Sequence, residues 1–218
     1  DYLIQSILHA QEGSRELNIG TDVHTIAEKI LKGEEYTFEP KLKPYIENTL
    51  SLIAEIKQKY PLVEAAEGKF NIPLAKVIAT PDTIGFKGQI DAVFKNNKDE
   101  YLIVDWKTSS SDNASAEYRQ QLSVYKKVYA AMKNIPEDKI KVAIGYVGLK
   151  NRINDGTIGK ELDLKQPAAS AFGTMTKKIE KFLSWRRDVR LFFEDLLQEE
   201  NNDVIWRSVV EEWKKKEG

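Results

Sequence analysis

Apolar residues recur every three or four positions in "GTDVHTIAEKILKG", residues 20–33. Val23, Ile26, Ala27, Ile30 and Leu31 mark one face of a helix that Gly33 closes. A second stripe, Ile46, Leu50, Ile53, Ala54 and Ile56, predicts a helix over about residues 44–59, ended by Pro61. The period then shortens. "PLVEAAEGKFNIPL" reads as an extended segment with a turn or bulge near Glu67 and Gly68, and "AKVIATPD" as another short strand. Residues 83–95 and 100–108 are β-rich and flank "NNKD", a hairpin signal. A Ser-rich loop leads into the helix "SAEYRQQLSVYKKVYAAMKN" and the apolar strand "KIKVAIGYVGLKN". A looser Gly/Asn stretch runs through residue 160, and helices follow over about residues 168–200 and 204–216.

This order predicts an α/β fold, a mixed central sheet flanked by helices, with N-terminal and C-terminal helical elaborations. No internal repeat or low-complexity linker interrupts the 218 residues, so one domain is expected. The chain opens Asp1-Tyr2 without an initiator Met, so a piece of a longer protein is expected.

Charge narrows the function. Lys and Arg total 33 against 34 Asp and Glu, a net charge of -1, so no global positive field draws in a polyanion. That weakens a generic duplex-coating role and leaves a locally basic groove, or a metal that offsets phosphate charge. Cysteine is absent, which removes disulfides, thiolate chemistry and cysteine-ligated zinc or iron-sulfur clusters. No apolar run approaches a membrane span and no signal-peptide pattern opens the chain, so a soluble intracellular protein without a membrane partner is the expectation.

Chemistry concentrates in "GQIDAVFKNNKDEYLIVDWKTS", residues 88–109. A hairpin symmetric about Lys98 sets Asp91 opposite Asp105, with Cβ atoms roughly 5 Å apart. Such carboxylates repel unless a cation or proton offsets them. Alternation puts Lys107 on the same side. In a plainer reading Lys107 neutralises a solvent-facing Asp105 while Asp91 begins a wet edge. The "LIV" before Asp105 and Trp106 after it argue for burial instead. Two convergent oxygens suit Mg²⁺ or Mn²⁺ better than a structural zinc. In phosphodiester hydrolysis such an ion polarises the phosphate and lowers the pKa of its water. Lys107 could orient or deprotonate that water, or stabilise the transition state.

"GQID", then "VDWKTS" after a hairpin, then "QLSVY" on a helix resemble the PD-(D/E)XK nuclease superfamily, especially the RecB-like exonuclease branch that includes mitochondrial genome maintenance and phage exonucleases. The resemblance covers roughly residues 20–150. The family's Asp, its Asp-x-Lys and its Gln-x-x-x-Tyr fall on Asp91, on Asp105 with Lys107, and on Gln121 with Tyr125. It implies a restriction-endonuclease-like sheet and Mg²⁺- or Mn²⁺-dependent DNA hydrolysis, as an exonuclease on single-stranded or frayed ends. It also implies further metal ligands: His24 from the upstream helix, Glu64 from the strand before the motif, and the Trp106 carbonyl. Glu28, a turn beyond His24, would be an outer acceptor or a solvated residue. Tyr118, Arg119 and the hydroxyls of "TSSSDN" are candidate DNA contacts, and Trp185 in "KKIEKFLSWRRDVR" is either a stacking platform or part of a solvated basic face. "EEWKKKEG" adds little.

Such an enzyme would work in the bacterial or phage-host cytoplasm, or in a nucleus or mitochondrion, alone or fused to a helicase or polymerase. The competing readings are a noncatalytic nucleic-acid-binding or assembly module on the same fold, and a sequence- or structure-specific endonuclease.

Overall fold

A computed structural model describes residues 14–81, 84–150 and 157–198. Side chains are described throughout these segments except at residues 14–18, 190 and 192–198. The helix expected over 204–216, the "EEWKKKEG" end and part of the Gly/Asn stretch lie outside the described residues. Backbone proximity groups the chain into two compact units, Asp1–Phe172 and Gly173–Gly218.

In the first unit, α1 (Ser14–Lys32) begins ahead of the expected residue 20 and ends at Gly33, whose φ is 71°. Gly33 N–H donates to the Ile30 carbonyl and Glu34 N–H to that of Lys29, a Schellman closure that suits a residue without Cβ. Val23, Ile26, Ala27 and Leu31 are buried. On α2 (Lys43–Lys59) the buried stripe is Ile46, Thr49, Leu52, Ile53 and Ile56. Leu50 and Ala54, expected on that stripe, are exposed. Thr49 takes a core position because its hydroxyl donates to the Tyr45 carbonyl one turn back, at 2.8 Å.

Among the described residues five strands follow, β1 (Leu62–Pro73), β2 (Gly85–Lys95), β3 (Tyr101–Lys107), β4 (Ile140–Lys150) and β5 (Ile158–Asp163), and they lie side by side in chain order. Only β3 and β4 pair in parallel, joined across the sheet by α3 (Ser115–Lys133); the other pairs are antiparallel. The fold is therefore the expected mixed sheet flanked by helices. α1 and α2 cover one face through Ala92, Phe94, Leu102, Val104, Trp106, Ala143 and Val147. On the other face, Tyr129 of α3 meets Tyr101 at 5.6 Å between ring centroids. Coverage on both sides buries β3 along nearly its whole length.

Three local expectations change. "AKVIATPD" forms no strand: Leu74–Lys76 is a 3-10 turn, and Leu74, Val77 and Ile78 are buried because the turn folds them inward, held by Leu74 N–H donating to Ile84 at 2.9 Å. The register shift in β1 falls between Val63 and Ala65, not at Glu67-Gly68, although Glu67 does adopt a left-handed φ of 52°. β5 occupies the end of the stretch read as loose. Its side chains are half exposed, so it lacks the apolar alternation that marks a buried strand. The last described helix, α4 (Ala169–Gln198), runs close to the expected bounds. In the second unit Leu183 is buried, while Phe182 and Trp185 are exposed with their rings 5.7 Å apart. Among the described residues no helix is long and apolar enough to cross a membrane.

Candidate active site

The β2–β3 turn sets the register on which the site depends. Asn96 Oδ1 accepts from Lys98 N–H at 2.9 Å and Glu100 N–H at 3.0 Å, while Asp99 takes a positive φ of 56°. These contacts fix the pairs Lys95–Tyr101, Phe94–Leu102, Val93–Ile103 and Ala92–Val104, whose continuation sets Asp91 opposite Asp105 as the turn symmetry predicts. Beyond Val104 a side chain takes over the ladder: Trp106 N–H donates to Asp91 Oδ2 at 2.8 Å. Asp91 is thus fixed by the backbone between Asp105 and Lys107.

Two cations close on the two acids. His24 Nε2 lies 3.0 Å from Asp91 Oδ2, and its Nδ1 is 2.7 Å from the Gly20 carbonyl one turn back on α1. Lys107 Nζ lies 2.8 Å from Asp105 Oδ2 and 4.6 Å above the centre of the Tyr118 ring. The lysine approaches off the hydrogen-bonding direction, so Asp105 Oδ2 stays buried without an aligned donor. Gln121 Nε2 donates to Tyr125 Oη at 2.7 Å, as their four-residue spacing on α3 allows.

Burial and neighbouring charge tune these groups. Burial opposes a charged His24, but its hydrogen bond to Asp91 and that carboxylate's charge outweigh the cost, and its pKa rises from 6.5 to about 9. Burial raises Asp105 most, Lys107 opposes it, and Asp91 adds repulsion, leaving it near about 6 rather than 3.8. Tyr125 is pushed up to about 12 by burial and then by the Asp105 charge, which places the phenol within the field of the acids.

His24, Asp91, Asp105 and Lys107 therefore converge, with the Trp106 backbone between them and Tyr125 close by. Trp106 contributes its N–H to Asp91, and its side chain is core, 1% exposed. Glu64 does not join them: its carboxylate is 3.1 Å from Lys133 Nζ at the far end of α3. Glu28 pairs with Lys32, so the outer partner of His24 is the Gly20 carbonyl. Arg119 is held by Asp163 on β5. The β1 carboxylate nearest the site is one the sequence hid. The pairs Ala66–Ala92 and Gly68–Ile90 leave Glu67 opposite Asp91. The Glu-Gly dipeptide reads as a turn, and only the strand register shows what it faces.

Among the described residues no three His, Cys, Asp or Glu side chains are grouped as a metal cage. The donor chemistry still fits a small divalent cation: two carboxylates on facing strands, one with a buried oxygen that only the off-axis Lys107 approaches, and an imidazole beside them. His24 could join only as neutral imidazole, so binding would displace its proton.

The site brings together a hairpin-borne pair of acids and a lysine two residues after the second, with a neutral Gln-Tyr pair on the crossover helix. The PD-(D/E)XK nuclease superfamily model matches residues 1–204, and the chain belongs to that superfamily. Among solved structures, "Crystal structure of SSO0001" is similar at 16% identity and a TM-score of 0.37, over 77% of this chain and 86% of that one. No curated protein sequence matches.

Proposed function

We propose that the chain is a divalent-metal-dependent deoxyribonuclease of the RecB-like branch, acting with Mg²⁺ or Mn²⁺ as an exonuclease on single-stranded or frayed DNA ends. The observation that carries this reading is that the β2–β3 register, continued one step past Ala92–Val104, brings Asp91 and Asp105 face to face, each answered by its own cation, His24 or Lys107. Asp91 and Asp105 would hold the ion, with His24 once deprotonated. When bound, the ion supplies a polarised phosphate and an acidified water. Lys107 brings positive charge to the place where negative charge develops on phosphate. Gln121 donates to the Tyr125 oxygen, which leaves the phenol's own proton free to hold a phosphate oxygen without competing for the cation.

End-labelled single-stranded, duplex and circular DNA, incubated with Mg²⁺, Mn²⁺ or chelator, tests the proposal. Metal-dependent shortening from an end, lost in folded Asp105→Asn and Lys107→Ala, is expected. Cleavage that survives both substitutions overturns it, and cleavage of circles at one sequence moves the assignment to an endonuclease.

A second reading takes the same two ion pairs the other way. Both acids already have an internal cation, and a charged His24 cannot ligate, as befits a noncatalytic nucleic-acid-binding module on this fold. Absence of both cleavage and divalent-ion binding in calorimetry would favour it.

A further inference from the structure

A cleft of about 420 Å³ opens beside Lys107, and its lining includes Tyr45, Lys150 and the run Thr108, Ser109, Ser110 and Ser111. Its volume is at the small end for ligand pockets, about 300–1,000 Å³. In a chain with 34 acidic residues, no Asp or Glu lines it, and its charged groups are Lys107, Lys150 and His24. His24 and Lys107 already answer Asp91 and Asp105 behind the lining, so Lys150 is the cation left to attract an anion here.

The floor is built, not improvised. Lys150 N–H donates to the Ser110 carbonyl at 3.0 Å, which ties the loop after β3 to the end of β4. Ser109 Oγ donates to the Ser111 carbonyl at 3.0 Å, which commits Ser109 to the loop, while Thr108, Ser110 and Ser111 line the cleft beside it. Gly148 permits the approach: a Cβ there would sit 2.3 Å from the Thr108 carbonyl oxygen and 2.8 Å from the Tyr45 ring. Among the described residues the exposed Lys150 ammonium has no carboxylate partner. Tyr45 offers a half-buried aromatic wall.

We infer that this cleft seats one nucleotide of a single strand beside the scissile phosphate, with its own phosphate on Lys150 and the loop hydroxyls and its base against Tyr45. The inference rests on the nuclease reading for its substrate class. Backbone phosphate held by a cation and hydroxyls, with a base on an aromatic face, is how single strands are gripped without sequence preference.

The test is metal-free binding, in chelator, of a fluorescein-labelled oligothymidylate followed by anisotropy across a salt series. Lys150→Gln should weaken binding about five- to tenfold and reduce the slope of log Kd against log salt by about 0.7, the share of one single-strand phosphate contact. Tyr45→Leu should weaken binding about tenfold at every salt concentration with the slope kept. Tyr45→Phe retains the ring and should bind as the parent does, which separates stacking from misfolding. Parent-like affinity and slope in Lys150→Gln, or no binding by the parent chain, overturns the inference. Lys150-dependent binding without metal-dependent cleavage would sink the catalytic proposal while leaving this subsite standing. Cleavage with affinity indifferent to Lys150 and Tyr45 would do the reverse.

Discussion

Gly145→Ala puts the support of the active site under load. Gly145 of β4 pairs with Trp106 of β3, and a Cβ added there would lie 2.4 Å from Cε3 and 2.5 Å from Cζ3 of the indole. Carbon atoms settle at about 3.5–4.0 Å, so the ring would have to retreat by about 1 Å. Trp106 is 1% exposed and packs within the core under α1 and α2, so the retreat propagates. Overpacking of this kind costs about 1–3 kcal/mol, and with two ring atoms in collision we expect about 3 kcal/mol. The strain also reaches chemistry, because the Trp106 N–H holds Asp91 Oδ2 at 2.8 Å. Urea unfolding followed by far-ultraviolet circular dichroism gives the stability. DNA cleavage at a temperature where both proteins are folded gives the rate, which should fall further than the folded fraction does. Adding Trp106→Leu should recover part of the loss relative to additivity, with a coupling of about 1–3 kcal/mol. An unchanged unfolding midpoint in Gly145→Ala, or strict additivity with Trp106→Leu, would refute the packing argument.

Other measurements address other contacts. His24 is raised from 6.5 to about 9, so its contribution in chelator is fully present below pH 6.5 and lost as pH rises through about 9. With allowance for the exposed part of the ring that loss is about 2 kcal/mol, and His24→Gln should flatten the stability profile in this window. Asp105, raised from 3.8 to about 6, acts in the same direction lower down, lowering stability as pH climbs through that range. Glu67→Gly removes a side chain from a φ of 52° and should raise stability by about 1 kcal/mol, read as a higher urea midpoint. Glu64→Gln breaks only a contact with Lys133 and should leave DNA cleavage at the parent level. Asn48 Nδ2 donates to the Val147 carbonyl at 2.9 Å and lies 3.3 Å from that of Gly159, so Asn48→Ala should cost about 1–2 kcal/mol in denaturant unfolding.

Local pattern was enough for whatever depends on neighbours in sequence. The Asp91–Asp105 register follows from one short turn, because a hairpin of known centre fixes every pair along it. The faces of α1 and α3 follow from helical spacing, and Gln121 meets Tyr125 because four residues make about one turn. Packing between distant segments decided the rest. Only the seating of α1 on the sheet brings His24 to Asp91, 67 positions away in sequence. Only the register shift between Val63 and Ala65 sends Glu64 toward Lys133 and leaves Glu67 opposite Asp91, since one added residue reverses the face of every side chain that follows. β5 and the Arg119–Asp163 pair were equally hidden, because a half-exposed edge strand carries no apolar period and an ion pair between separate elements leaves no local mark. Periodicity and turn chemistry are written in adjacent residues; which carboxylate meets which cation is settled only when helices and strands pack together.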